Sequence, residues 1–117
     1  MRVLILSSEF PPGPGGIGTH AFHLSNQLAR RGLDLHVLSP QDYASEKEVS
    51  AFNSSQPFEM TRLPSSENKL AQTFTRYKIV RQAIKTFKPD LLIASGSRAV
   101  YLSAILTLFR KTPWLVI

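Results

Sequence analysis

Short apolar runs alternate with longer segments of helical periodicity along this chain. Four runs, at residues 3–6, 35–38, 91–94 and 114–117, consist mainly of large aliphatic side chains. Continuous apolar runs of this length are typical of parallel strands that are buried on both faces. Residues 58–63 alternate apolar and polar positions instead, and this pattern predicts a further strand at or near a sheet edge.

Three segments between these runs have the spacing of amphipathic helices, which predicts helices over residues 17–31, 66–88 and 98–109. The first has two arginines in its last turn and ends before Gly32, as helices commonly do. The second carries one apolar stripe, formed by Leu70, Phe74, Tyr77, Val80, Ile84 and Phe87. Residues 41–55 are polar without a convincing period, so we predict a loop or a frayed helical turn there.

The order of these elements predicts the fold class. Strands that alternate with helices imply an α/β fold, here a Rossmann-like, doubly wound, mostly parallel sheet of about five strands with helices on both faces. A chain of 117 residues is long enough for one such domain. We interpret residues 114–117 as a buried strand in which the chain stops. Because domains seldom end inside a buried strand, we expect residues 1–117 to be a truncated part of a longer domain.

Composition and charge narrow the classes of partner. The chain has 14 Lys and Arg residues against 8 Asp and Glu residues, and its formal charge of +6 favours anionic partners. It has no cysteine, which excludes disulfides, thiolate nucleophiles and zinc–thiolate sites. We find neither a secretory signal nor an apolar run of the roughly 20 residues that span a membrane. We therefore expect a cytoplasmic protein, with peripheral contact to the inner membrane face as an option.

Six basic residues lie along the second predicted helix, most of them beside its apolar stripe. They form either a face that docks on anionic lipid or a solvated face that keeps the domain soluble. Nucleic acid is not expected as a partner, because the basic residues are not interleaved with exposed aromatic side chains. The six residues are Lys69, Arg76, Lys78, Arg81, Lys85 and Lys88.

A glycine-rich loop separates the first predicted strand from the first predicted helix. Residues 13–18 are Gly-Pro-Gly-Gly-Ile-Gly, and glycines let a backbone approach a ligand closely. The helix that follows directs its unpaired N–H groups and the positive end of its dipole at this loop. Ligands of open parallel sheets bind at the carboxyl ends of the strands. The loop therefore favours a phosphate or diphosphate ligand, and a connector without a ligand is the alternative.

The same six residues match G-x-G-x-x-G, the fingerprint of dinucleotide-binding domains. Two features count against that function. Residues 9–12 intervene between the strand and the first glycine, and Ser39 and Pro40 stand where an acid should hold the ribose, with Asp42 only after the turn. Half of an NAD(P)-dependent oxidoreductase stays open as an alternative, and a non-catalytic basic module that binds a partner or a membrane is a third.

Several motifs, taken in order and spacing, carry a resemblance to a known family. They are Glu-Phe-Pro-Pro at residues 9–12, Gly-Gly-Ile-Gly-Thr-His at 15–20, Leu-Ala-Arg-Arg-Gly at 28–32 and Lys-Pro-Asp-Leu-Leu-Ile-Ala-Ser-Gly at 88–96. This series resembles the opening of the retaining GT-B glycosyltransferases of the family 4-like group. The chain departs from the pattern at Leu33, which replaces a histidine, and near Ser95, where histidine is common.

The resemblance implies an acceptor-side, N-terminal domain of an enzyme that moves a sugar from a nucleotide-diphosphate sugar to an acceptor with retention of configuration. The acceptor would be a glycan, a lipid or a small molecule. Because the C-terminal donor-binding domain is absent, we expect no turnover from these residues alone and assign no catalytic residue. We also expect that the truncated edge of the sheet allows self-association.

The resemblance further assigns two groups of binding residues. The residues that match the loop over the sugar diphosphate, where backbone N–H groups meet negative charge, are Gly15, Gly16, Gly18 and Thr19. Those at the tip of the fourth strand, on the acceptor side, are Ser95, Gly96, Ser97 and Arg98. Arg98 either pairs with an acceptor phosphate or carboxylate or is a solvated charge of the first helical turn.

The remaining titratable residues suggest no metal and no cofactor. His20 and His23 lie one helical turn apart, but two histidines without a third ligand make a poor metal site. His36 lies among buried positions of the second strand and is expected to be structural. Glu9, the acid of the first loop, is expected to form a salt bridge with a neighbouring helix, with a role as catalytic base as the alternative.

Overall fold

Strands and helices alternate along the chain, whose computed structural model describes residues 1–40, 44–107 and 113–117. The end of the third predicted helix at residue 109, and residues 41–43 of the predicted loop, lie outside this description. The elements are β1 (Arg2–Ser7), α1 (Gly16–Arg30), β2 (Asp34–Pro40), α2 (Glu46–Ser54), β3 (Glu59–Leu63), α3 (Lys69–Phe87), β4 (Leu91–Ser95), α4 (Ser97–Thr107) and β5 (Trp114–Val116).

The five strands form one parallel sheet in the order β3-β2-β1-β4-β5. Leu4 of β1 lies between His36 of β2 and Leu92 of β4. From β1 the chain winds outward to β3, then crosses back to β4 and winds in the other direction. The predicted doubly wound fold is confirmed, and so is the edge position of the strand near residues 58–63. The direction of winding reverses between β1 and β4, which is where ligands bind in folds of this kind.

Alternate residues of β1 enter two cores, one on each face of the sheet. Leu4 and Leu6 pack with residues of α3 and α4, and Val3 and Ile5 pack with residues of α1. This is the pattern of a strand covered on both faces, and it explains the absence of polar residues from positions 3–6. Helices therefore cover both faces of the sheet, as predicted.

Helix α2 occupies a segment for which a loop or frayed turn was predicted, and that prediction is wrong. Ser45 caps the helix by accepting a hydrogen bond from the Glu48 N–H at 3.2 Å, and the first turn carries Glu46 and Glu48. These residues match the capping-box pattern, which was available in the sequence. Within α2 only Val49 is buried. One buried position in nine residues leaves no apolar period that a sequence pattern could show.

Helix α3 departs from the predicted apolar stripe in its first two turns. Leu70 and Phe74 are 84% and 59% exposed, although Val80, Ile84 and Phe87 are buried as predicted. The buried positions of the helix begin only at Arg76. Arg76 was predicted on the basic flank, but it is buried and donates to the carbonyl of Pro64 at 2.9 Å and to the hydroxyl of Ser65 at 3.1 Å.

Strand β5 lies at the edge of the sheet beside β4, and its side chains are exposed rather than buried. Trp114 is 37% exposed, and the exposed fractions of Leu115, Val116 and Ile117 are higher still. The prediction of a buried strand is therefore wrong for these residues. An apolar run in a parallel sheet can be a half-covered edge strand as well as a central one. Self-association through this edge stays a prediction.

His36 is buried in β2 and has a structural environment, as predicted. Its Nε2 lies 2.7 Å from the Thr61 hydroxyl, and its ring meets Phe87 edge-on at 5.5 Å between centroids. Burial lowers the pKa of His36 below its ordinary value, even though the carboxylates of Glu59 and Asp34 act in the opposite direction.

Candidate functional site

The loop after β1 delivers an uncapped helix N-terminus to the carboxyl edge of the sheet. Gly15 precedes α1 with φ 130°, no side chain caps the helix, and its first turn holds no acid. The Thr19 N–H and the Thr19 hydroxyl both donate to the Gly15 carbonyl, at 3.1 and 3.0 Å. The N–H groups of Gly16 and Ile17, at exposed positions, have no partner within the helix. They are available to an anion.

Close packing against backbone atoms explains Gly18, and the φ of 130° explains Gly15. A Cβ on Gly18 would lie 2.9 Å from the backbone nitrogen of Phe10, and one on Gly15 would lie 2.0 Å from Oε2 of Glu9. Gly16 is different, because it is exposed and a Cβ there would meet nothing within 4 Å. The first two glycines thus bring α1 onto the β1 loop, and the third leaves the backbone open to a ligand.

Ser8 joins this loop to the start of α4. Its N–H donates to the Ser95 carbonyl at 2.8 Å, and its hydroxyl accepts from the Ala99 N–H at 3.2 Å. Gly96 makes the turn with φ 92°, and a Cβ there would lie 2.4 Å from the Ser8 hydroxyl oxygen. The loops after β1 and β4 are therefore held together at the point where the direction of winding reverses.

A cavity of about 260 Å³, called the polar cavity below, lies between these loops. Its wall carries three ionisable side chains from different elements: Glu9 from the β1 loop, Arg62 from β3 and Arg98 from α4. Ser8 and Ser97 add hydroxyl groups, and the other lining residues that the structure describes are Phe10, Pro12, Gly13, Pro14, Ile17, Pro40, Ala44 and Val49.

Arg62 holds one wall of the polar cavity together. Its guanidinium donates to Asn53 Oδ1 at 3.2 Å, to the Ser39 hydroxyl at 2.9 Å and to the Pro40 carbonyl at 3.3 Å. It also donates to the Pro11 carbonyl. All these acceptors are neutral, and burial lowers the pKa of Arg62 to about 10. The side chain thus connects β2, α2 and the β1 loop without a countercharge among the described residues.

The carboxylate of Glu9 does not form the predicted salt bridge. Among the described residues, Arg2 forms an ion pair with Asp34, and His36 lies 3.9 Å from the Glu59 carboxylate and pairs with it only when protonated; neither contact involves Glu9. Its Oε2 is buried and has no hydrogen-bond partner in that part of the chain. The neighbouring helix α1 presents only its N-terminus to this loop, because no basic side chain lies in its first turn.

The structure brings part of the predicted site together at the polar cavity. Ser97 and Arg98 line it, whereas Ser95 is buried beneath it and Gly96 forms the turn between them. The cavity also involves residues that sequence reasoning left out, namely Ser8 and Arg62. No local signal marks Arg62, because its contact with Pro11 spans 51 positions of the chain.

A second cavity, called the apolar groove below, adjoins the polar cavity between α3 and α4. It encloses about 300 Å³ and shares Ser8, Pro40 and Arg98 with the polar cavity. Leu63 and Leu102 supply apolar surface on its walls. Lys69, Gln72 and Thr73 line it from α3 and Tyr101 lines it from α4, so the groove lies between the first turns of these two helices.

Residues 1–40, 44–107 and 113–117 contain no group of three His, Cys, Asp or Glu side chains that could hold a metal ion. None of the helices found in these ranges is long and apolar enough to cross a membrane.

Comparison with known families identifies the chain. The sequence profile of Glycosyltransferase Family 4 matches residues 14–117, which include α1 and the Gly15–Gly18 segment of the loop. The chain belongs to Glycosyltransferase Family 4. This Family 4 chain is also similar to a glycogen synthase from Mycobacterium tuberculosis, with 43% identity over 58 residues. That match covers 43% of the chain and 14% of the synthase.

Solved structures share the fold of this Family 4 chain. A glycosyltransferase from Rickettsia africae superposes with a TM-score of 0.70 at 13% identity, over 98% of the chain and 29% of that protein. The UDP-GlcNAc 2-epimerase from Methanocaldococcus jannaschii superposes with a TM-score of 0.66 at 14% identity, over 100% of the chain and 31% of that protein. The Family 4 chain therefore spans less than a third of either structure, and the likeness establishes the Rossmann-like fold of a GT-B N-terminal domain.

The Family 4 match and the site both disfavour the dinucleotide-binding alternative. In a dinucleotide enzyme an acid at the end of the second strand holds the ribose. Here β2 ends at Ser39 and Pro40, and both accept hydrogen bonds from the Arg62 guanidinium. That contact occupies the ends of β2 and β3.

Proposed function

We propose that this chain is the acceptor-side half of a retaining glycosyltransferase that uses a nucleotide-diphosphate sugar, and that a separate donor-binding domain completes the enzyme. One observation carries the proposal. The uncapped N-terminus of α1 and the polar cavity lie together at the carboxyl ends of β1 and β4, in a chain of Glycosyltransferase Family 4. Retention of configuration rests on the resemblance of the opening motifs to retaining enzymes.

The glycine loop would act on the leaving diphosphate. Backbone N–H groups at Gly16 and Ile17 lie at the positive end of the α1 dipole and would stabilise the charge that grows on the phosphate as the glycosidic bond breaks. Gly16 leaves room for a phosphate oxygen to approach the backbone. Gly15 would hold the loop open, Gly18 would hold it against Phe10, and Thr19 would brace the Gly15 carbonyl.

The acceptor would occupy the polar cavity from the side of α4. Ser97 offers a hydroxyl and Arg98 a cation at the cavity wall, and Ser95 and Gly96 shape the turn that presents them. Nucleotide sugars suit a site between two such domains, and the UDP-GlcNAc 2-epimerase is named for a ligand of this class. The chain's own part would be to bind and orient the acceptor and to receive the diphosphate charge.

Transfer by a two-domain protein tests this proposal. We expect a protein in which this chain is joined to a Family 4 donor-binding domain to transfer a sugar from a UDP-, GDP- or ADP-sugar, with retention seen in the anomeric coupling constant of the product. We expect the chain alone to be at least about a thousandfold slower, because positioning of two reactants supplies most of such a rate. Inversion, or equal rates with and without the second domain, would contradict the proposal.

We also propose that the outer face of α3 docks on anionic lipid. Leu70 and Phe74 are exposed in its first turns, and Lys78 lies 4.8 Å from the Phe74 ring centroid. Arg81, Lys85 and Lys88 continue the same stripe at helical spacing and are also exposed. The helix contains no Asp or Glu. An exposed apolar turn followed by basic turns is the composition that lies in a membrane interface.

Liposome sedimentation tests the lipid proposal. We expect binding to vesicles with about 30% phosphatidylserine and not to pure phosphatidylcholine, because each basic residue at an anionic surface contributes about 1 kcal/mol. Lys78→Gln should weaken binding about fivefold, and the matched control Lys47→Gln, on the exposed side of α2, should have no effect. If Lys78→Gln and Lys47→Gln both sediment with the vesicles to the same extent as the unaltered chain, the outer face of α3 is not the docking surface.

A further inference from the structure

The polar cavity contains charges of both signs that do not neutralise each other. Glu9 and Arg98 line the same cavity of about 260 Å³, and neither forms an ion pair with a residue that the structure describes. Arg62 adds a second guanidinium whose hydrogen bonds all go to neutral acceptors. A cavity that holds opposite charges apart is suited to a ligand with two chemically different ends.

The Glu9 carboxylate defines one end. Its Oε2 is buried and has no donor in the described part of the chain. A buried carboxylate oxygen without a hydrogen bond is costly, so the site lacks a donor. A Cβ added to Gly15 would lie 2.0 Å from this oxygen, so the carboxylate is held against the backbone of the loop. Glu9 lines the polar cavity, so a ligand hydroxyl donates to its other carboxylate oxygen, whereas an anionic group in that same position is repelled.

Arg98 defines the other end. Its side chain is exposed at the start of α4, makes no hydrogen bond to a described residue and also borders the apolar groove. A guanidinium with all its donors free binds a phosphate or carboxylate in a bidentate manner. The charge of Arg62 in the same wall raises the potential felt by such a group.

We propose that the polar cavity binds a hydroxylated molecule that carries an anionic group, of the class of sugar phosphates and polyol phosphates, with a hydroxyl on Glu9 and the phosphate on Arg98. The assignment of this ligand as the sugar acceptor rests on the proposed function. The cavity is close to the lower limit of about 300 Å³ for small-molecule sites, which suits one ring with its phosphate rather than an oligosaccharide. The ligand is either free or the headgroup of a lipid.

Titration of the chain with three probes tests the two ends separately. The probes are glucose 6-phosphate, glucose and inorganic phosphate, followed by NMR shifts of the amide groups around the cavity. We expect glucose 6-phosphate to bind at least about tenfold more tightly than either single-ended probe, because only it uses both ends. Vesicles with phosphatidylinositol, compared with phosphatidylserine vesicles of equal charge, distinguish the lipid-borne source from the free one.

Two substitutions should act in different ways. Arg98→Gln should weaken the binding of glucose 6-phosphate and of inorganic phosphate about tenfold and leave the binding of glucose unchanged. Glu9→Gln should weaken the binding of glucose and of glucose 6-phosphate. It should strengthen the binding of inorganic phosphate, because it removes a carboxylate that repels the anion. A structural role for Glu9 would change all three affinities in the same direction. The charge-matched controls are Glu46→Gln on α2 and Arg81→Gln on α3, both at exposed positions.

The outcomes separate this inference from the proposed function. The inference is overturned if glucose 6-phosphate binds no more tightly than inorganic phosphate. It is also overturned if Glu9→Gln weakens the binding of glucose 6-phosphate and of inorganic phosphate to the same extent. If the two-domain protein transfers sugar to a neutral acceptor with a KM that Arg98→Gln leaves unchanged, the inference fails and the transferase function stands. If the binding pattern appears but no sugar is transferred, the transferase function fails and the inference stands.

Discussion

Gly18→Ala is expected to lower the free energy of unfolding by about 2 kcal/mol, because overpacking of a closed site costs up to about 3 kcal/mol and the helix propensity of alanine returns at most about 1. The new Cβ would lie 2.9 Å from the Phe10 nitrogen and 3.1 Å from the Glu9 carbonyl carbon and the Phe10 Cα. These are backbone atoms, which cannot move aside as the end of a side chain can. Either α1 or the β1 loop has to shift.

Gly16→Ala is the matched control for this substitution. It lies two residues earlier in the same helix, and its Cβ would meet nothing within 4 Å. We expect it to leave the stability unchanged or to raise it by up to about 1 kcal/mol. Urea unfolding of both variants, followed by circular dichroism, measures the difference. If the two substitutions shift the midpoint equally, the close approach of α1 to Phe10 is not what requires glycine at position 18.

Arg62→Ala is expected to cost more, about 3 kcal/mol, because four hydrogen bonds are lost together and each buried acceptor left without a donor costs about 1 kcal/mol or more. The acceptors belong to Asn53 of α2, to Ser39 and Pro40 at the end of β2, and to Pro11 of the β1 loop. The guanidinium also lies 5.6 Å from the Phe10 ring centroid and 5.7 Å from that of Phe52. Its removal should loosen α2 first.

Hydrogen exchange and a conservative variant distinguish this effect from a general loss of packing. Protection should fall in α2 and the β1 loop more than in β1 or β4. Arg62→Lys keeps the charge but not the planar set of donors, so it should recover less than half of the loss. Arg81→Ala, at an exposed position of α3, serves as the control and should lie within about 0.5 kcal/mol of the unaltered chain. A uniform fall in protection across the sheet would contradict the proposed role of Arg62.

Sequence patterns were sufficient for the elements whose burial repeats regularly. The runs of β1, β2 and β4 are covered on both faces, so their positions are apolar except for His36 and the polar residues at the strand ends, and the strands are recognisable from composition alone. The same kind of pattern was misleading for α3. Its stripe is regular over the whole helix, but Leu70 and Phe74 are exposed whereas Val80 and Ile84 are buried. Periodicity shows which residues share a helix face and not what lies opposite that face.

Some residues of the polar cavity can be placed from local sequence, and others only from the tertiary structure. Its glycine loop and the residues at the tip of β4 follow the ends of strands, and local sequence is enough to place them at one edge of a parallel sheet. Arg62 is 51 positions away from the Pro11 carbonyl that it binds, and nothing local distinguishes it from an ordinary strand arginine. Its place at the cavity depends on β3 pairing beside β2.

The alternation of apolar and helical segments thus determined the α/β class, the doubly wound order and the position of the glycine loop, because these depend on contacts that repeat along the chain. The tertiary structure alone established that Glu9 lies against Gly15 with its Oε2 unpaired among the described residues, and that Arg62 and Arg98 line the same cavity as that carboxylate. Such contacts join single residues of distant segments. Their energies depend on distances that only the packed sheet and helices set.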